Sequence, residues 1–312
     1  MFDVIFHADW SISKAKRWLA KAERRQSGWA ISSVVIAPCK LTELLLEEAR
    51  DKRVLAGFDF PIGVPATWAT TMGIHSFPIF LEQLAKGAYP EFFTGAESKY
   101  EISSARPFYP ARAISVVKQE HLYAAHGLNA FKELRRQCES RTKHRLAACP
   151  LFWTLGANQV GKGAISGWQE VVMPCVKEGA RLWPFSGELE LGNSTGLTIA
   201  ETYPAEIYGW IDIKFLGKGG KKSQEKRSEL IPKIEAWIEK RNIRLFPDVA
   251  AQLQKGFGSA PDGEDRFDAF CGICGMIAIA EGTRVSGAPN DASVRNFEGW
   301  ILGQKVEDIV YC

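Results

Sequence analysis

The sequence lacks the marks of a membrane or secreted protein. None of its apolar runs approaches the roughly 20 residues that a transmembrane helix needs. Residues 2–5 lead straight into a strand pattern, without the basic segment and long apolar segment of a secretory signal. The seven cysteines are odd in number and scattered, so they do not indicate a disulfide framework. We therefore expect a cytoplasmic protein that contacts no membrane.

Strong charge and internal repetition are also missing. The net charge of +3 is too small to indicate a nucleic-acid partner by itself. The sequence has no internal repeat and no low-complexity tract. With 46% hydrophobic and 24% charged residues, its 312 residues can bury a full core. Local patterns must therefore carry any functional prediction.

The periodicity of apolar residues predicts an α/β protein. The opening third contains three runs typical of an antiparallel strand unit, then a helix, then a short apolar run typical of a buried parallel strand. These segments are residues 4–9, 17–24, 28–37, 41–50 and 53–59. A fifth strand and three helices follow later, at residues 197–201, 205–210, 225–241 and from about 263 to 282. We predict a mixed sheet flanked by helices.

Residues 66–150 interrupt this order. They contain mixed helical patterns and several prolines, and no linker-like composition flanks them. We therefore predict a single domain, residues 1–312, with a largely helical insertion after the fourth strand.

The helix that begins near Gly263 carries two aspartates on one face. Asp265 and Asp268 are three residues apart, and acids are favoured in the first turn of a helix. A role at the helix start explains Asp265 but not Asp268, which lies deeper in a helix that is apolar nearly all round. A buried carboxylate needs a partner, either a base, several donors or a metal ion.

Three predicted strands also end in acids, namely Asp9, Asp59 and Glu201. Ligand sites in open sheets gather at the carboxyl ends of the strands, so these acids are expected to converge with Asp268. Clustered carboxylates cannot all stay ionised without cations, and Mg²⁺ prefers oxygen ligands. A turn-capping role for Asp59 remains an alternative.

Four motifs add a family resemblance. They are GFDFPIG at 57–63, ETYPAE at 201–206, DRFDA at 265–269 and EGWI at 298–301. In this order they resemble the DUF429 proteins, which are classed as predicted nucleases with a ribonuclease H-like fold. The DRFDA segment also resembles the closing motif of RuvC-type resolvases. The resemblance covers residues 2–60 and 196–302.

The resemblance implies a site and a reaction. Asp9 would bridge two Mg²⁺ or Mn²⁺ ions, Glu201 and Asp268 would be further ligands, and Asp265 would assist. Asp59 would be a ligand or would position a water molecule. Enzyme sites with two such ions catalyse the hydrolysis of phosphodiester bonds, so the resemblance implies a nuclease acting on DNA or RNA.

A nucleotide-binding ATPase is the least favoured alternative. GANQVGKG at 156–163 fits a P-loop pattern, but Gly163 stands where a serine or threonine should contact Mg²⁺. Lys162 could still contact a phosphate. An actin-like ATPase would need a glycine-rich loop after the first strand, and residues 10–13 (Trp-Ser-Ile-Ser) do not provide one.

Basic segments keep open a non-catalytic nucleic-acid-binding module. Lys218, Lys221 and Lys222 could follow a phosphate backbone, as could a second basic group in the insertion. That second group is Arg135, Arg136, Arg141, Lys143 and Arg145. Trp10, Trp153 and Trp168 could stack on bases.

Two further patterns are assigned to the core rather than to a site. His7 shares a strand face with Asp9, but a buried, hydrogen-bonded histidine is the favoured interpretation. The C-x-x-C pair Cys271 and Cys274 has no second pair at metal-binding spacing, so we predict small core residues.

Overall fold

A computed structural model describes residues 1–112, 116–156, 160–190, 192, 194–211, 213–215, 220–259 and 262–310. The described residues form a mixed sheet of seven strands flanked by helices. The strands are β1 Val4–Asp9, β2 Trp18–Arg25, β3 Gly28–Ile36, β4 Arg53–Phe58, β5 Arg181–Leu182, β6 Gly196–Glu201 and β7 Arg244–Leu245. Their spatial order is β5-β6-β4-β1-β2-β3-β7.

Helices cover both faces of the sheet. They are α1 Leu41–Glu48, α2 Ala66–Met72, α3 Phe77–Ala85, α4 Gln119–Ala125, α5 Val160–Gly167, α6 Met173–Lys177, α7 Pro204–Trp210, α8 Gln224–Glu229, α9 Ile231–Lys240, α10 Pro247–Gln254 and α11 Asp262–Ala280. A π-helical turn, Trp168–Val172, joins α5 to α6. None of these helices is long and apolar enough to cross a bilayer.

The first three strands pair antiparallel, as predicted. β1 pairs with β2 and β2 with β3, while β4 and β6 run parallel to β1. The carboxyl ends of β1, β4 and β6 therefore meet at one edge of the sheet. Asp9 and Glu201 are the last residues of β1 and β6, and Asp59 directly follows β4.

The helix α11 packs against the centre of one sheet face. Nearly every residue from Phe267 to Ala280 is buried, which agrees with its uniformly apolar sequence. Gly272 lets the helix approach β1 closely, because a Cβ atom at that position would lie 2.0 Å from the His7 imidazole. Cys271 and Cys274 are buried within this helix, as predicted.

The opposite face is covered by the segment between β4 and β6. This segment, with α1, buries a second apolar core that includes Phe77, Phe80 and Trp168. Residues 66–150 are less helical than predicted. Within that range the described residues form α2, α3, α4 and two short 3₁₀ turns, and the remainder is irregular.

One predicted helix is in fact two. The pattern over 225–241 predicts one amphipathic helix, but α8 ends at Glu229 and α9 begins at Ile231. Pro232 lies in the first turn of α9 and cannot donate to the Ser228 carbonyl. Apolar periodicity did not reveal this break. The two-residue strands β5 and β7 were also not predicted.

Candidate active site

Four aspartates line one pocket at the carboxyl edge of the sheet. Asp9 comes from β1, Asp59 from the turn after β4, and Asp265 and Asp268 from the first turns of α11. The pocket has a volume of about 600 Å³. The other lining residues are Trp10, Ser11, Ile12, Lys16, Phe60, Val160, Gly163, Tyr203, Pro204, Ala205, Lys221 and Glu264.

The periods of strand and helix explain why Asp9 and Asp268 meet. His7 and Asp9 are two residues apart on one face of β1, a rise of roughly 6.6 Å. Gly272 and Asp268 are four residues apart on one side of α11, a rise of roughly 6 Å. Gly272 lies against His7, and the distance from His7 to Asp9 along β1 is close to the distance from Gly272 to Asp268 along α11. Asp268 therefore lies near Asp9.

Asp9 and Asp59 form a coupled acid pair. The Trp10 N–H donates to Asp59 Oδ1 at 2.6 Å, and the Asp9 and Asp59 carboxyl groups are hydrogen-bonded to each other. Burial raises the pKa of Asp59 to about 7. Burial, and next the negative charge of Asp59, raise the pKa of Asp9 well above its usual value. Burial and mutual repulsion therefore both act against the charged forms of these two carboxyl groups.

Asp268 is held by two partners. The Tyr208 hydroxyl donates to Asp268 Oδ1, and the Lys221 ammonium group donates to Asp268 Oδ2. Lys221 also lies 3.0 Å from Glu264 Oε1. Burial raises the pKa of Asp268, while the nearby Lys221 opposes that rise.

Lys221 is the counter-ion of the acid cluster. Its positive charge lowers the pKa of Asp9, Asp59, Asp265 and Asp268 relative to burial alone. The ion pairs raise its own pKa above the usual lysine value, although burial acts in the opposite direction. The buried Arg227 guanidinium group donates to the Lys221 carbonyl oxygen and to Gly256 O and Gly258 O, and so fixes the turn that carries the lysine.

Asp265 lies nearer the mouth of the pocket. Its side chain is half-buried, and burial together with the charges of Asp268 and Glu264 raises its pKa to about 6. Its position in the first turn of α11 agrees equally with a helix-start role and with a place in the acid cluster.

Glu201 does not belong to this pocket, which corrects the prediction that it converges with the aspartates. It pairs with Phe58 in the sheet register, so its side chain points to the face opposite Asp9 and Asp59. There it forms a bidentate ion pair with Arg136, with both contacts at 2.7 Å, and accepts the Ile62 N–H. These bonds occupy both carboxylate oxygens. The equivalent position on the pocket face is Thr202, whose hydroxyl group lies 2.9 Å from His7 Nε2.

Only one of the predicted phosphate-binding lysines that the structure describes lines the pocket. Lys221 lines the pocket, and Lys222 is exposed beside it. Lys162 is in the first turn of α5 and does not line the pocket, although Val160 and Gly163 do. Lys218 lies outside the described residues, as do residues 157–159 of the glycine-rich motif.

Four of the five basic residues of the insertion have structural contacts, and the fifth, Arg141, is exposed. Arg136 and Arg145 are buried, and Arg145 pairs with Glu206 at 2.9 Å. Lys143 pairs with Asp308 at 2.6 Å, and Arg135 donates to the Ala148 carbonyl. The prediction that this group follows a phosphate backbone is therefore wrong for its buried members.

Of the three tryptophans predicted to stack on bases, two are buried and one lines the pocket. Trp153 and Trp168 are buried in the core, so they do not stack on bases. Trp10 lines the pocket, and the Arg17 guanidinium group covers one face of its ring at 3.8 Å. Burial lowers the pKa of His7 to about 3, which keeps it a neutral core residue, as predicted.

A second group of described side chains could hold a metal ion. Ligand atoms of His144, Glu206 and Asp308 lie within 4.8 Å of one another, whereas no three of the pocket carboxylates meet that limit together. This group provides only three ligands. Its two carboxylates are already paired with Arg145 and with Lys143 and Arg284. These three bases leave little negative charge for a cation.

The sequence did not indicate Tyr208 as a partner of Asp268 or Lys16 as a pocket residue. Tyr208 lies on α7, four residues after Pro204, so its helix could be predicted but its contact with α11 could not. Lys16 lies on the 3₁₀ turn Lys14–Lys16 that follows Trp10. Its closeness to Asp9 along the chain was the available signal.

Comparison with known proteins gives no match. No protein-family model matches the chain, and no curated protein or solved structure matches it. The site must therefore be interpreted from its own chemistry.

Proposed function

We propose that this chain is a nuclease of the ribonuclease H-like fold that hydrolyses nucleic-acid phosphodiester bonds with Mg²⁺ or Mn²⁺. One observation carries the proposal. Four aspartates from β1, the turn after β4, and α11 line a single pocket, where burial raises the pKa of each of them. The strand order β3-β2-β1-β4-β6, with only β2 antiparallel to the others, supports the fold assignment, as does the DUF429 resemblance.

The donor set fits a hard divalent cation. The titratable ligands that line the pocket are carboxylates, and none of the described lining residues is histidine or cysteine. Carboxylate oxygens favour Mg²⁺ and Mn²⁺ over softer metals. Asp9 and Asp268 would hold the ion, with Asp59 and Asp265 as further oxygen donors. A bound ion would activate a water molecule and stabilise the leaving oxygen of a phosphodiester.

The remaining residues position these groups. The Tyr208 hydroxyl fixes the orientation of Asp268, and the Trp10 N–H fixes that of Asp59. Asp59 lies beside Asp9 in the pocket, where its carboxylate would accept a proton from the attacking water. Lys221 places a positive charge beside the acids, where it can balance the charge of a phosphate group.

A non-catalytic nucleic-acid-binding module is the second candidate. It is favoured by Asp268, whose two oxygens already have partners in Tyr208 and Lys221. Such a module would bind nucleic acid in a salt-sensitive way without metal-dependent turnover.

Cleavage assays test the proposal. The full chain is incubated with labelled DNA and RNA oligonucleotides and Mg²⁺ or Mn²⁺, beside Asp9→Asn and Asp268→Asn variants. We expect cleavage by the parent protein and a loss of roughly 100-fold or more in both variants. Asp51→Asn is the matched control, because Asp51 is exposed at the opposite end of β4. Cleavage that persists in both active-site variants would contradict the proposal.

A further inference from the structure

The acids lie at the floor of the pocket rather than on an open surface. Asp9 is 8% exposed and Asp268 is 4% exposed. The volume of about 600 Å³ lies within the range of about 300–1,000 Å³ that is typical of small-molecule sites. A phosphate group can reach these carboxylates only if the nucleotide that carries it enters the pocket.

The walls of the pocket are fixed. The Trp10 indole N–H donates to Ser166 Oγ at 2.9 Å, and Arg17 covers its ring while forming a bidentate pair with Glu170 at 2.6 and 2.9 Å. Phe60 packs against Trp10, with ring centroids 5.7 Å apart. These contacts connect the wall to the start of β2 and to the α5–α6 segment, so opening it would break the bidentate pair between the buried Arg17 and the exposed Glu170.

The lining suits a single nucleotide. The half-buried rings of Trp10 and Tyr203 line the pocket beside the acids and offer aromatic surface to a base, whereas Phe60 is buried against Trp10. The bases of an intact duplex are paired and stacked, so they cannot use that surface. Enzymes with enclosed sites act on single strands or extrude the target nucleotide, which costs a few kcal/mol in a paired duplex.

A lysine lies at the mouth. Lys16 is exposed, lines the pocket, and its charge lowers the pKa of Asp265 relative to burial alone. Within the described part of the chain, no hydrogen bond or ion pair holds its ammonium group. It is therefore free to contact the phosphate of an entering strand.

We propose that this pocket takes an unpaired nucleotide of a nucleic-acid strand, with Lys16 contacting its backbone, and does not act within an intact duplex. This inference rests on the proposed function, because it concerns the substrate of the same site.

Two measurements test this inference separately from the proposed function. The first compares Mn²⁺-dependent cleavage of a linear single strand with cleavage of a closed dumbbell duplex of the same sequence. We expect the single strand to be cleaved at least roughly tenfold faster, because the duplex must first unpair. Equal or faster cleavage within the paired stem of the dumbbell, as opposed to its end loops, would overturn the inference and leave the proposed nuclease intact.

The second measurement uses fluorescence anisotropy to compare binding of the two nucleic acids in EDTA. It tests the preference for unpaired nucleotides even if neither substrate is cleaved. We expect tighter binding of the single strand than of the dumbbell. Lys16→Ala should weaken single-strand binding and reduce its salt slope by about 1, while Lys86→Ala, an exposed lysine on the other face, should change neither. Equal affinity for both nucleic acids, or an unchanged Lys16→Ala variant, would contradict the inference.

Discussion

Glu201 and Arg136 form a buried bidentate ion pair, and it lies on the face of the sheet opposite Asp9. Its two contacts are 2.7 Å each, and both side chains are almost fully buried. Arg136 also pairs with Glu139 at 3.0 Å and donates to the Glu298 carbonyl oxygen. The pair therefore joins the segment after β4 to the end of β6 and to the segment near Glu298.

Glu201→Gln should destabilise the protein without affecting Mn²⁺ binding at the proposed site. The change leaves the buried Arg136 charge with Glu139 as its remaining ionic partner, so we expect a loss of about 3 kcal/mol in the free energy of unfolding. Urea unfolding in EDTA measures this loss, and Mn²⁺ affinity of the folded variant should match that of the parent. If Glu201→Gln kept the stability of the parent but lost Mn²⁺ affinity, Glu201 would be a metal ligand and this prediction would be wrong.

Lys221→Met should strengthen binding of a divalent cation. The Lys221 ammonium group lies between Asp268 and Glu264, where it competes with a metal ion for the same oxygens. We expect Mn²⁺ to bind roughly tenfold more tightly once this charge is removed. Isothermal titration of the variant measures the change, and Lys222→Met, at the exposed neighbouring position, serves as its control. Weaker Mn²⁺ binding by Lys221→Met would show that the lysine supports the ion instead of competing with it.

Asp59 should contribute less to the stability of the metal-free protein as the pH rises from about 4 to 7. Burial raises the pKa of Asp59 from 3.8 to about 7, so this carboxyl group binds more protons in the folded state than in the unfolded state across this window. Its contribution to the free energy of unfolding therefore falls with increasing pH, whereas the lowered pKa values of His7 and His126 contribute in the opposite direction. Thermal unfolding in EDTA at several pH values measures the slope for the parent and for Asp59→Asn, and we expect the parent to lose stability relative to the variant as the pH rises. An identical slope in the variant would show that Asp59 does not titrate in this range.

Much of the fold was predictable because apolar periodicity reports local structure. The antiparallel opening, the strands that end at Phe58 and Glu201, and the buried helix α11 all follow from it. The break before Pro232 comes from the missing proline N–H, which apolar periodicity does not report. The irregular part of the insertion has no period, so its path depends on long-range contacts.

The site was predictable only in part, for a reason of register. Acids at three strand ends indicated the correct edge of the sheet, and Asp9 and Asp59 do line the pocket there. Alternate residues of a strand face opposite ways, so a shift of one residue decides which face an acid occupies. Glu201 pairs with Phe58 rather than with Asp59. The sequence pattern of each strand does not reveal how the two strands are aligned with each other. The same holds for Arg136 and Lys221, whose partners are distant along the chain.

Mn²⁺ titration measures directly whether the pocket aspartates bind a divalent cation. Free Mn²⁺ is measured by electron paramagnetic resonance at neutral pH for the parent protein and for Asp9→Asn, Asp268→Asn and Asp51→Asn. We predict saturable binding by the parent and by Asp51→Asn, and its loss in the other two variants. Failure of the parent protein to bind Mn²⁺, or equal binding by all four proteins, would contradict the account.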